Sequence, residues 1–264
     1  AEALKEIVQN GACVIGGCCG TTPNHISAMV QACKGMEIIK PSPKTETIVS
    51  SYGKAVCFGE EPIIIGERIN PTGKSRFKQA LKEPDLDYVL KEGITQQEKG
   101  AHILDVNVGL PDIDEVSMMR EVVTELQSVT SLPLQIDTVN IEALDAAMRI
   151  YNGKPMVNSV NGKQESIDAI FPLVKKYGGV VVGLTLDENG IPETVEGRLA
   201  IAEKIYKRAA EYGIEKKDII VDVLTMSIST DTQAANVTLD AVAGIKERFH
   251  GKTILGVSNV SFGL

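Results

Sequence analysis

The chain has 264 residues, 43% hydrophobic and 23% charged, enough to bury one large core or one core plus a smaller piece. Its net charge of −8, with no run of five lysines and arginines, argues against nucleic acid or an anionic membrane as the main partner. No apolar stretch reaches the roughly 18 residues of a membrane-spanning helix.

The chain opens on Ala1-Glu2-Ala3-Leu4-Lys5-Glu6, an amphipathic helical start without the basic-then-apolar order of a signal peptide. A short strand is expected at Ala12–Ile15, then the turn Gly16-Gly17-Cys18-Cys19-Gly20-Thr21-Thr22-Pro23, then a second helix. Residues 1–36 thus read as helix, strand and helix, too little to fold alone. Adjacent cysteines reach disulfide geometry only with strain, and the flanking glycines let both sulfurs face one centre. Such a thiolate pair suits zinc; the alternative is two buried structural cysteines. Five cysteines, an odd count with two adjacent, do not make a secreted disulfide framework, so a reducing cytoplasm is expected. Residues 37–61, with Pro41, Ser42, Pro43, Lys44 and Thr45, read as a linker.

From Pro62 one unit repeats: an apolar strand, a polar turn, a helix. The strands are expected at Ile63–Ile65, Ile103–Val106, Leu134–Ile136, Met156–Val157, Val180–Leu184, Ile219–Val221 and Thr253–Val257. Nearly continuous β-branched runs are the mark of parallel strands buried on both faces. Between them lie helical stripes at Leu86, Val89, Leu90 and Ile94, at Ile167, Ile170, Phe171 and Val174, and at Leu199, Ala202, Ile205, Tyr206 and Ala209. Seven such units over residues 62–264 point to an α/β fold, a (β/α)8 TIM barrel whose eighth strand falls beyond Leu264. A doubly wound open sheet is the alternative, but its Gly-x-Gly-x-x-Gly turn is missing.

Nearly every strand ends in a polar side chain: Glu67 and Asn70, Asp105 and Asn107, Asp137, Asn158, Asp222, and finally Ser258 and Asn259. Barrel enzymes build their sites at that end of the sheet. For Asp105 the bland alternative is a cap on the following helix, and for Asn259 a cap on its own loop.

Two resemblances add to this reading. The string around Cys18 and Cys19 resembles the closing motif of the homocysteine S-methyltransferase family. The resemblance implies that residues 1–36 end a second, zinc- and homocysteine-binding (β/α)8 barrel, and that Cys18 and Cys19 are two of three zinc ligands. The strings Ile65-Gly66-Glu67-Arg68-Ile69-Asn70, Asp105-Val106-Asn107-Val108-Gly109, Ile136-Asp137-Thr138, Val157-Asn158-Ser159, Val221-Asp222 and Gly256-Val257-Ser258-Asn259 look like the pterin-binding barrel of folate enzymes. Within that group the Ser-Asn ending is similar to methyltransferases rather than dihydropteroate synthases. Together the two parts resemble the cobalamin-dependent methionine synthase family.

That resemblance implies a methyltransferase with methyltetrahydrofolate and homocysteine as substrates. Asp222 would take the pterin amino edge and Asp137 and Asn158 the neighbouring ring, with Glu67, Asn70, Asp105 and Asn107 completing the pocket. Asn259 would be the catalytic residue, beside the methyl-bearing nitrogen. Methyl would pass from folate to cob(I)alamin, then from methylcobalamin to zinc-bound homocysteine. No Asp-x-His-x-x-Gly string occurs, so cobalamin is expected on another domain or protein. A methyltetrahydrofolate:corrinoid methyltransferase and a dihydropteroate synthase-like enzyme are the alternatives.

Overall fold

The computed structural model describes residues 2–39, 42–229 and 233–261. The chain divides into two compact units, residues 1–45 and 46–264.

The first unit holds helix α1 (Glu2–Gln9) and helix α2 (Pro23–Cys33), which pack on each other. Thr22 caps α2 and Pro23 opens it, a position where proline's missing N–H costs nothing. His25 completes the cap by accepting the Thr22 N–H at 3.1 Å. The strand expected at Ala12–Ile15 is not formed, and Val14 is 93% exposed. A strand needs a partner ladder, and this unit has no other strand among its described residues.

The second unit begins inside the expected linker. Residues 48–57 form an antiparallel hairpin, β1 (Ile48–Ser50) and β2 (Ala55–Cys57), closed by Ser51 and Lys54. Seven parallel strands follow in sequence order: β3 (Ile65–Ile69), β4 (Ile103–Val106), β5 (Leu134–Asp137), β6 (Met156–Asn161), β7 (Val180–Leu184), β8 (Ile219–Asp222) and β9 (Lys252–Ile254). This is the order of a (β/α)8 barrel, with β3 and β9 at the two edges of the sheet. The strand order is thus the one expected, and the alternative doubly wound order is not seen.

Helices α3 (Ser75–Lys82), α4 (Leu86–Glu98), α5 (Glu115–Val129), α6 (Ile141–Ile150), α7 (Gln164–Tyr177), α8 (Val195–Glu211) and α9 (Ala234–Phe249) connect the strands. They and one face of the sheet bury the larger core, including Leu104, Ile136, Val157, Val181 and Val221. The other face curls round a second core of Ile103, Met156, Val180, Val182 and Ile220, completed by Val49 and Val56 of the hairpin. Ser50 pairs with Lys154, just before β6, so the hairpin closes the amino-terminal end of the strands. The carboxyl ends are left for chemistry.

One strand boundary and one helix face differ from expectation for local reasons. The first barrel strand starts at Ile65, and Gln96 Oε1 takes the Arg68 N–H at 2.8 Å where the β3–β4 register shifts. On α4 the inner face carries Val89, Gly93 and Gln96, while Ile94 is 37% exposed. A Cβ on Gly93 would stand 2.8 Å from a Leu126 methyl, so any larger residue here would make the Leu126 side chain shift.

Candidate functional site: a carboxylate cluster at the strand ends

Paired residues on a parallel ladder share a face, and so do residues two apart on one strand. Asp105 pairs with Gln135, and Asp137 pairs with Asn158. Asn158 in turn pairs with Val182 of the inner core, so all four side chains belong to the interior face. The packing and the polar ends follow from one alternation: Leu134 and Ile136 go to the helices, Gln135 and Asp137 go inward.

Two hydrogen-bonded pairs line this face. Gln135 Nε2 donates to Asp105 Oδ1, and Asn107 Nδ2 donates to Asp137 Oδ2 at 2.9 Å. Asn158 lies close enough to Asp105 to favour its charged form. Asp105 is 3% exposed. Burial first, and the Asp137 charge second, push its carboxyl up to about 8, so it holds a proton at neutral pH. Burial also raises Asp137, against the Asn107 hydrogen bond, with the Glu67 and Glu115 charges adding to the rise. Asp105 caps no helix; α5 is capped by Asp114. Glu67 is exposed at the rim and pairs with Lys74 Nζ at 3.0 Å.

Asp222 ends β8 in the interior row beside Leu184 and Ile254. Burial pushes its carboxyl up to about 6, while the Leu224 N–H (2.8 Å to Oδ1) and the charge of Arg198 pull it down. It is therefore mostly ionised at neutral pH.

Two further expected residues, like Glu67 and Asp222, have no hydrogen bond to these two pairs among the described residues. Asn70 Oδ1 accepts the Thr72 N–H at 2.8 Å and so shapes its own turn. Asn259 is exposed in a single 3-10 turn, Val257–Ser261, and no hydrogen bond joins its amide to the carboxylates among the described residues.

In the first unit Cys18 and Cys19 are exposed free thiols, with sulfurs 3.7 Å apart. Two sulfurs bound to one tetrahedral zinc at ~2.3 Å would lie ~3.8 Å apart, so the pair fits that ion as two of its ligands. Among the described residues no third His, Cys, Asp or Glu joins them.

Two of the buried polar residues that the sequence reading did not single out, Gln135 and Arg198, stand beside the candidate site residues. Gln135 interrupts an apolar strand, which was its signal. Arg198 is the first member of the α8 stripe that continues through Ala202, Ile205 and Ala209. Its placement at core spacing was the sign of a buried guanidinium.

Comparison with known proteins agrees with this layout. Residues 66–264 match the model of the pterin binding enzymes, and residues 1–33 match that of homocysteine S-methyltransferase. The chain is 34% identical over its whole length to a methionine synthase of Mycobacterium leprae and 32% identical to one of Mycobacterium tuberculosis. It spans 24% and 23% of those proteins, about a quarter of each. Dihydropteroate synthase from Xanthomonas albilineans, in complex with 7,8-dihydropteroate, shares the fold with a TM-score of 0.59 at 20% identity. That likeness covers 80% of this chain and 77% of the other. With three quarters of its length in the pterin-binding match and the carboxylates at the strand ends, the chain belongs to the family of pterin-binding enzymes.

Proposed function

We propose that the chain is the homocysteine- and folate-binding part of a cobalamin-dependent methionine synthase, acting in a reducing cytoplasm. The observation that carries this reading is that similarity to methionine synthases covers the whole chain, taking in both the Cys18-Cys19 turn and the carboxylate cluster.

A pterin edge presents an amino group and ring N–H donors in one plane, and carboxylates are the strongest acceptors for them. Asp222, ionised and fixed by the Leu224 N–H, takes the amino edge. Asp137 and Asn158 take the neighbouring ring, and Glu67, Asn70, Asp105 and Asn107 complete the pocket, in part through water. Protonated Asp105 serves there as a hydrogen-bond donor. Asn259 assists the methyl-bearing nitrogen as its methyl leaves. Zinc held by Cys18, Cys19 and a third ligand from elsewhere in the protein would supply homocysteine as a thiolate at neutral pH. Cobalamin, brought by another domain or protein, would supply the methyl carrier between the two substrates.

A diphosphate substrate fits less well. Among the described residues, the cations beside the carboxylates are Lys74, paired with Glu67, and Arg198, turned to backbone carbonyls. The test is methyl transfer from methyltetrahydrofolate to added cob(I)alamin by the intact protein, followed by loss of cob(I)alamin absorbance. Asp222→Asn should weaken methyltetrahydrofolate binding by on the order of 1.5–3 kcal/mol, the worth of a hydrogen bond to a charged group. Consumption of a dihydropterin diphosphate with no methyl transfer would overturn the reading.

A further inference from the structure

Arg198 lies in the first turn of α8 and is 2% exposed. A buried charge normally sits against an opposite charge. Among the described residues no carboxylate lies within ion-pair distance of this guanidinium. Its partners are neutral: Pro192 O at 3.1 Å from Nε, and Val223 O at 2.7 Å, Leu224 O at 2.8 Å and Thr238 Oγ1 at 3.3 Å from Nη1. One side chain therefore ties together the approach to α8, the end of β8 and the second turn of α9. Thr238 reinforces the same point by donating to Leu224 O at 3.2 Å or Ala234 O at 3.0 Å.

What these contacts hold is an unusual piece of backbone. Leu224 has φ +65°, a left-handed conformation that a branched side chain adopts only when its surroundings impose it. In that conformation its N–H points back to Asp222 Oδ1. Both carbonyls gripped by Nη1, those of Val223 and Leu224, flank this N–H donor. The guanidinium charge also favours the ionised form of the Asp222 carboxylate.

We infer that Arg198 is a positioning residue for pterin recognition: it locks the Val223–Leu224 turn so that the Leu224 N–H and its own positive charge present Asp222 as an oriented carboxylate. This rests on the reading of Asp222 as the carboxylate that takes the pterin amino edge. A residue that only filled a core would leave its helix stripe apolar, as Ala202 and Ile205 do. The cost of desolvating a guanidinium is explained when the charge and the fork of donors both serve the neighbouring site.

The test is a double-mutant cycle on methyltetrahydrofolate binding by the intact protein, with melting temperature measured in parallel. Arg198→Met should weaken binding at least tenfold in the wild-type background and less than twofold in the Asp222→Asn background. Arg198→Lys, which keeps the charge, should bind within about threefold of wild type, whereas Arg198→Gln, which keeps donors without charge, should lose about tenfold. Should Arg198→Met not fold, the contrast between lysine and glutamine decides the matter alone. Equal losses in both backgrounds, or equal affinities for the lysine and glutamine variants, would overturn the role assigned to Arg198. An unchanged affinity in Asp222→Asn itself would instead remove Asp222 from the pterin edge, and Arg198's role with it.

Discussion

Asp105 shows how a residue can be chemically ready at the expense of the fold. An unfolded aspartate titrates near 3.8, and burial with a neighbouring Asp137 raises the folded group to about 8. The folded chain thus binds this proton more tightly than the unfolded one. Its contribution to stability is full below about pH 4 and is lost as the pH rises through about 8. The ligand-free protein should therefore melt at progressively lower temperature from about pH 4 to about pH 8, and Asp105→Asn should flatten that fall. A variant with the wild-type slope would show that other groups govern it. Asn259 is the opposite case, an exposed amide whose proposed help comes mainly in the transition state. Asn259→Ala should slow methyl transfer to cob(I)alamin roughly a hundredfold, as losing one oxyanion-type donor does, while folate affinity falls less than tenfold. Stopped-flow transfer beside equilibrium titration separates the two, and equal losses in both would count against a catalytic role. The gathering of Asp105, Asn107, Asp137 and Asn158 was legible because each stands on or just past an apolar strand, on the inward phase of its alternation. Gln135 and Arg198 were not noticed, because each interrupts an apolar pattern that is otherwise read as core.

Among the elements, those with an unbroken apolar run or stripe were the legible ones. The stripe of α7 and the apolar runs of β4, β7 and β8 lie close to where the pattern puts them, since burial against a sheet demands that spacing. The hairpin was missed because each strand has three residues and only one buried side chain, Val49 or Val56, which is too short to show alternation. The strand expected at Ala12–Ile15 is absent for the converse reason, an apolar run with no partner strand among the described residues of its unit. The hairpin nonetheless seals the inner core: Val49 is fully buried among Ile103, Met156, Val180, Val182 and Ile220. Val49→Ala should cost on the order of 2 kcal/mol by lost burial and the cavity left behind. Folate affinity should hold, because the hairpin and the carboxylates lie at opposite ends of the strands. Urea denaturation with a parallel folate titration checks both, and a variant as stable as wild type would mean the hairpin is dispensable to the core.

At the scale of the whole molecule, the two sets of chemical groups lie on separate compact units, the thiols within residues 1–45 and the carboxylates within residues 46–264. Each set is built from local sequence: Cys18 and Cys19 stand on one turn, and the carboxylates stand on consecutive strands of one sheet. If the proposed function holds, the two half-reactions should be separable by mutation. In the intact protein, Cys18→Ser or Cys19→Ser replaces a thiolate by a hydroxyl, a poor zinc ligand at neutral pH. Zinc content measured by metal analysis should fall by most of its value, and homocysteine methylation should stop. Methyl transfer from methyltetrahydrofolate to added cob(I)alamin should continue at close to the wild-type rate, because none of its groups has been touched. Asp222→Asn should give the reverse pattern, with full zinc and impaired folate binding. Loss of both half-reactions in a folded Cys18→Ser protein would sink the two-site assignment. Retention of zinc in both cysteine variants would place the metal on other residues.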